Sequence, residues 1–188
     1  MTDTPSAPSA PQVTVLPAEA ADDQDLMRQL TDLVNQVYAT AEDGLWQPGT
    51  VRTSLQEVTE LTLARQIVVA HVDGALAGLI RVQYLDSDTA ETGMLVSHPD
   101  YRGLGVGREL RRFVAEMLRR EGFKTLQIEL LVPRNRTHDS KAFMAEWNTR
   151  AGYEVVGESK FEDYYPDLAP RLVTPCNFII FNKSLQTA

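Results

Sequence analysis

Apolar residues recur along this chain with two different periods, and the points where one period gives way to the other lay out its elements. Val13–Leu16 reads as a first strand. Leu26, Leu30, Leu33, Val34 and Val37 then fall on one face of a helix, with Asp22 or Asp23 as its cap, that runs out near Ala39. Glu42–Gly49 is a loop, and a second helix is expected over Ser54–Arg65. Ile67–Val72 and Ala75–Tyr84 are strands joined at Asp73-Gly74, a strong tight-hairpin signal. A turn at Asp86-Ser87-Asp88 leads into a strand over 89–96. Lys124–Val132 is β again, and its nearly all-apolar second half predicts a strand buried on both faces. Ser140–Ala151 reads as a helix with Phe143, Trp147 and Ala151 in register, ended by Gly152. Tyr153–Ser159 and Cys176–Lys183 are the last strands, and Glu162–Leu172 between them is irregular or briefly helical around two prolines.

The strongest periodic element lies in the middle. Val106, Leu110, Phe113, Val114, Met117 and Leu118 form one apolar stripe, while Glu109, Arg112, Glu116, Arg119 and Arg120 fall opposite. Gly122 stands where a left-handed residue would end the helix. Directly before it runs Arg102-Gly103-Leu104-Gly105-Val106-Gly107. Glycines at a helix N-terminus leave backbone N–H groups and the positive end of the helix dipole open to a closely approaching anion. Neither a Gly-Lys-Ser/Thr P-loop nor a G-x-G-x-x-G dinucleotide fingerprint with its acidic partner is present. The element order is β-α-α-β-β-β-α-β-α-β-loop-β, and the strand–loop–helix–strand crossover demands a mixed α/β sheet with local parallel pairing.

Composition narrows the class. With 188 residues, 43% hydrophobic and 23% charged, the chain suits one globular domain over 12–188. Residues 1–11 are a Pro/Ser/Ala tail with no basic or apolar region, so a disordered tail is expected there and no signal peptide. The apolar runs Ile67–Ala70 and Phe178–Phe181 are strand-sized, so no membrane partner is expected. A net charge of −8 argues against general nucleic-acid binding but leaves a small anionic ligand open, because backbone amides can hold phosphate on an acidic protein. The single cysteine, Cys176, excludes an internal disulfide and fits a cytoplasmic location. His71, His98 and His138 show no metal-ligand spacing, so no metal is expected, and His98 before Pro99 is read as shaping the turn.

The spacing Arg102-x-x-Gly105-x-Gly107, with a strand before it and an amphipathic helix after it, resembles motif A of the GNAT N-acetyltransferase superfamily. The element order resembles that fold over roughly residues 12–185, and the run from Ala169 to Phe178 is similar to a branch of bacterial small-molecule acetyltransferases. The resemblance implies a central mixed, mostly antiparallel sheet flanked by about four helices. It implies acetyl-CoA as co-substrate, held at its pyrophosphate by Gly103, Leu104, Gly105, Val106 and Gly107 between Arg102 and Arg108. It also implies a splayed strand at Met94, Leu95 and Val96, whose backbone N–H groups stabilise the oxyanion while the pantetheine arm inserts beside them. The activity implied is acetyl transfer to a primary amine of a small molecule by direct attack, with a homodimer left open. A protein N-terminal acetyltransferase, or an acyl-CoA-binding regulatory module that has lost catalysis, are the alternatives.

An alkylamine titrates near 10.4, so at neutral pH something must take its proton. Glu91 lies eleven positions before Arg102, the separation at which several family members carry a general base. Strand alternation would set it on the face of Gly93 and Leu95, opposite Ala90, Thr92, Met94 and Val96. Its alternative role is a solvent-face partner of a cation such as Arg81. Many members carry aromatic-Tyr-x-x-x-Gly-aromatic, whose tyrosine protonates the departing thiolate; here the run is Trp147 to Tyr153, and Asn148 replaces that tyrosine. Asn148 can donate a hydrogen bond to a thiolate but not a proton, which leaves Tyr164, Tyr165 and Ser140 as candidate acids. Trp147 is expected in the core. In this fold the first helix–helix connection lines the acceptor pocket, which here brings Tyr38, Glu42, Asp43 and Trp46 forward as an acidic, aromatic lining for a cationic amine.

Overall fold

In a computed structural model, which describes residues 9–186, β1 (Gln12–Val15), β2 (Ile67–Val72), β3 (Ala75–Tyr84), β4 (Thr89–Ser97), β5 (Thr125–Pro133), β6 (Glu154–Lys160) and β7 (Cys176–Ser184) form one sheet in the order β1-β2-β3-β4-β5-β7-β6. Residues 1–8 of the expected tail lie outside the described residues. Every neighbouring pair is antiparallel except β4 and β5, which are joined by the crossover through the glycine loop. The helices are α1 (Gln24–Ala41), α2 (Leu55–Leu63), α3 (Val106–Glu121), α4 (Asp139–Arg150) and the one-turn α5 (Phe161–Tyr164), at the start of the segment expected to be irregular or briefly helical.

Local chemistry sets the boundaries. The Asp23 carboxylate accepts from the N–H groups of Asp25 and Leu26 at 3.1 and 3.0 Å and starts α1, and Ser54 accepts from Glu57 N–H to start α2. Asp73 and Gly74 both take positive φ, +49° and +82°, the combination of a primed hairpin turn whose twist matches its strands. α1 and α2 cover one face of the sheet, where Met27, Leu30, Val34 and Val58 meet Ile67, Val69, Leu79, Met94 and Val96. α3 covers the other, where Leu110, Val114 and Leu118 meet Val68, Ala70, Ile80, Val82, Leu126 and Phe181. Each such burial is worth about 1.5–3 kcal/mol before the entropy of ordering is charged against it. A third cluster, Leu45, Leu131, Phe161 and Cys176, packs the α1–α2 loop onto β5 and α5.

β5 is buried on both faces in its second half, as expected, but not in its first: Leu126, Ile128 and Leu130 are buried toward α3 and Leu131 into the Leu45–Phe161 cluster on the opposite face, where Gln127 and Glu129 are only half-buried. Strict alternation along β4 breaks. Pairing with β3 runs Arg81↔Gly93 and then Leu79↔Val96, so Met94 and Leu95 together oppose Ile80, with Met94 at φ +49°. This bulge exchanges the two faces of the strand. Met94 and Val96 join the α1/α2 layer and Leu95 the α3 layer that holds Ala90, so Glu91 and Gly93 share a face with Met94 and Val96, not with Leu95. Pairing with β5 stops at Thr92↔Ile128 while β5 continues along β7 as far as Pro133↔Cys176. The β5-facing edge of Gly93–Ser97 therefore has no strand partner among the described residues. The sheet forks there.

Candidate active site

The fork leads from β4 into the glycine loop. His98 Nδ1 accepts the Asp100 N–H at 3.3 Å, which folds Pro99–Tyr101 into a single tight turn as expected of a turn-shaping histidine. Gly103 and Gly105 then take φ of +87° and +75°. Gly105 is the N-cap of α3 and has no side chain to satisfy the first turn. The first bond into the helix runs from Glu109 N–H to Gly105 O at 2.9 Å. Among the described residues, the amides of Gly103, Gly105, Val106, Gly107 and Arg108 have no acceptor, the normal state of a helix start and one an anion can satisfy. Arg102 and Arg108 are exposed at its two sides, and a cleft of about 410 Å³ opens here between Leu104, Gly105, Arg108, Glu109 and Ser9–Pro11.

On the α1/α2 face of the fork, three strands bring polar groups together. Glu91 is half-buried, and Gln127 Nε2 donates to its Oε2 at 3.4 Å and to Glu129 Oε1 at 3.5 Å. Burial raises the Glu91 pKa above the ordinary carboxylate value, offset by the charge of Arg81, the Gln127 hydrogen bond and Arg52. Burial, joined by the charge of Glu91, pushes Glu129 up to about 7. Glu91 thus makes no ion pair with Arg81; its partner is the Gln127 amide. Tyr38 is partly buried beside the Met94 backbone, with the Arg52 guanidinium 5.1 Å over its ring, and burial together with the charges of Glu129 and Glu91 raises the Tyr165 pKa. Sequence reasoning missed Glu129, Gln127 and Arg52. The one available signal was an acid inside the apolar run Ile128–Val132.

The two raised carboxyls bear on stability. A carboxyl whose pKa is higher folded than unfolded stabilises fully below the unfolded value, and that contribution is lost as pH rises through the folded value. For Glu129 the window runs from the ordinary carboxylate range to about 7. Glu129→Gln, which cannot ionise, is therefore expected to gain melting temperature relative to wild type as pH is raised from about 5 to about 8. Paired melting curves check this, and an identical difference at both pH values would contradict it.

The other expected residues divide. Glu42 is buried, with Oε1 accepting from Lys141 Nζ at 2.5 Å and Oε2 from Trp46 Nε1 at 2.6 Å. The pair ties the end of α1 to α4, Trp46 packs edge-on against Phe161, and Asp43 is exposed, its backbone carbonyl 3.0 Å from His138 Nε2, so of the four residues expected to line the acceptor pocket only Tyr38 reaches the Glu91 cluster. Asn148 is fully buried, and its Oδ1 accepts from Arg111 Nη2 at 2.7 Å. Arg111 is buried on α3 and stacks 3.7 Å above the Trp147 ring, with the Tyr153 ring 5.7 Å away. Burial pushes Arg111 down to about 10 and Tyr153 up to about 12. Asn148 Nδ2 and Arg111 Nε and Nη1 have no acceptor among the described residues, which makes three buried donors unpaired. Cys176 is buried and its thiol pushed up to about 11, unsuited to nucleophilic work. No group of residues suited to a metal occurs among the described residues, and no helix is long and apolar enough to cross a membrane.

The profile of the Acetyltransferase (GNAT) family matches residues 30–143. An aminoglycoside 6′-N-acetyltransferase complexed with coenzyme A superposes with TM-score 0.69 at 16% identity, over 94% of this chain and 98% of that one. The PaiA N-acetyltransferase of Thermoplasma acidophilum, in complex with coenzyme A, gives 0.67 at 14% identity over 94% and 99%. N-acetylglutamate synthase of Neisseria gonorrhoeae gives 0.63 at 14% identity; the match covers 95% of this chain but 36% of that longer one. At these identities the likeness is one of fold. No curated protein matches the chain.

Proposed function

The chain belongs to the Acetyltransferase (GNAT) family, and from that premise we propose that it transfers the acetyl group of acetyl-CoA to a primary amine of a small molecule by direct attack. One observation carries the reading: a row of unpartnered helix-start amides lies one tight turn beyond an unpaired β4 edge, at a fork whose α1/α2 face bears two half-buried carboxyl groups. Bound acetyl-CoA supplies an activated thioester, at which an amine nitrogen displaces the thiol and becomes an amide. The amides of Gly103–Arg108 hold the pyrophosphate, with Arg102 and Arg108 adding charge at either side. The backbone at Met94–Val96, unpaired toward β5, holds the pantetheine arm and donates to the carbonyl oxygen as charge develops on it. Glu91 accepts the amine proton directly or through water, since burial raises its basicity toward working pH. Glu129, still partly protonated near neutrality, keeps the pair from carrying two full charges.

Asn148 Nδ2, unpartnered and oriented by Arg111, donates to the departing sulfur in place of a tyrosine. Asn148→Ala is then expected to lower kcat by about 10-fold, the value of one charge-assisted hydrogen bond, with acetyl-CoA affinity retained. Unchanged kcat would remove Asn148 from the chemistry. The test of the function itself is thiol release from acetyl-CoA against a panel of small amines. Amine-dependent release supports it, and acetyl-CoA binding with no release for any amine would favour a binding or regulatory module.

A further inference from the structure

The fork carries more charge than amine acetylation requires. Glu91 and Glu129 are bridged by one neutral amide, Gln127 Nε2, at 3.4 and 3.5 Å. Arg81 lies on the same face: it pairs with Gly93, two residues from Glu91, and its guanidinium donates to Gln83 and, at 3.5 Å, to Gln66, both neutral. Arg52 reaches in from the loop before α2, 5.1 Å over the Tyr38 ring. Its backbone is fixed there by the Asn35 side chain, whose Oδ1 accepts the N–H groups of Arg52 and Thr53 at 2.9 and 3.0 Å. Among the described residues, none of these two acids and two guanidinium groups has an ion-pair partner within 4.0 Å. Their charges nonetheless act on one another, since both arginines oppose the rise in the Glu91 pKa and all four act on Tyr165.

Opposite charges brought to one face without ion pairs, by a sheet register on one side and an anchored loop on the other, give that face an acidic part and a basic part. A simple amine would satisfy only the acids. We propose that the acceptor is a zwitterion of the α-amino acid class, with its amino group on Glu91 and Glu129, its carboxylate on Arg52 within the field of Arg81, and its side chain between Tyr38 and Tyr165. The proposal rests on the acetyl-transfer reading above and narrows its substrate. A guanidinium fork matches a carboxylate in two parallel hydrogen bonds, which a lysine could not supply. In the reaction the ammonium loses one proton to Glu91, the nitrogen–acyl carbon bond forms as the carbon–sulfur bond breaks, and the second proton shed by the acylated nitrogen passes to the departing thiolate. The products are an N-acetyl amino acid and the free thiol of coenzyme A.

The experiment measures kcat/KM with acetyl-CoA for a panel of L-amino acids, each beside its decarboxylated amine and its α-carboxamide. At least one amino acid is expected to exceed both counterparts by about 100-fold, the discrimination of a site built to pair a charge that the counterpart lacks. In Arg52→Met, whose side chain is exposed and whose melting temperature serves as the folding control, that preference should fall by about 30-fold. Counterparts acetylated as fast as the amino acids, or a preference untouched by Arg52→Met, would overturn the zwitterion. Acetylation of simple amines with no amino acid accepted would overturn it while sparing the acetyl-transfer reading. No heat on titrating acetyl-CoA would overturn that underlying reading.

Discussion

Gly105→Glu is expected to weaken acetyl-CoA binding by at least about 100-fold while leaving the fold intact. Gly105 sits at φ +75°, where a side chain costs about 1–2 kcal/mol, and a Cβ built there meets only the Arg108 guanidinium, at 3.5 Å. The strain is tolerable because a carboxylate at a helix start also gains from the dipole and from free amides. Those are the amides proposed to hold the pyrophosphate. The new carboxylate would occupy them, repel phosphate and pair with Arg108. Thermal melting reads both effects: acetyl-CoA should raise the melting temperature of wild type and leave that of the variant unmoved, because only a ligand that binds the folded state stabilises it. A variant stabilised as much as wild type would take the pyrophosphate off this loop.

Glu91→Gln is expected to lower kcat/KM by about 100- to 1,000-fold, the usual contribution of a positioned general base, with little change in acetyl-CoA affinity. The same substitution has a second signature. The charge of Glu91 is one of the two causes that raise Glu129, the larger being burial. Removing it should shift Glu129 downward, which amide-free measurements such as carboxyl carbon NMR titration would record. In wild type the acid limb of the kcat/KM profile should lie above the ordinary carboxylate range, since burial raises Glu91. A residual activity of Glu91→Gln near that of wild type would reassign the base, and Glu129 would be the nearest replacement.

Much of the frame is readable from spacing because it is local. The α3 stripe, the Gly122 stop, the Asp23 and Ser54 starts and the Asp73-Gly74 hairpin each rest on a few neighbouring residues. The glycine loop is legible for the same reason. What distance decides is not. Nothing in Gly93-Met94-Leu95 announces that two residues will oppose Ile80 alone, yet that bulge sets which side chains share a face with Glu91. Glu129 was visible as an acid among apolar residues, but only the lone parallel pairing of β4 with β5 carries it to Glu91. Glu42 could be read as pocket lining until Lys141, 99 positions away, met its carboxylate. Arg111 offered no signal, since a buried guanidinium held by Trp147 and Asn148 requires α4 to be docked on α3.

The central claim is that the loop from Gly103 to Arg108 and the open edge of β4 together hold acetyl-CoA. Calorimetric titration of acetyl-CoA into the wild-type protein tests it most directly, with desulfo-CoA and adenosine as comparison ligands. The account predicts saturable one-to-one binding, retained by desulfo-CoA, which keeps the pyrophosphate and pantetheine arm, and lost with adenosine, which has neither. No heat with acetyl-CoA, or adenosine binding as tightly as acetyl-CoA, would contradict it.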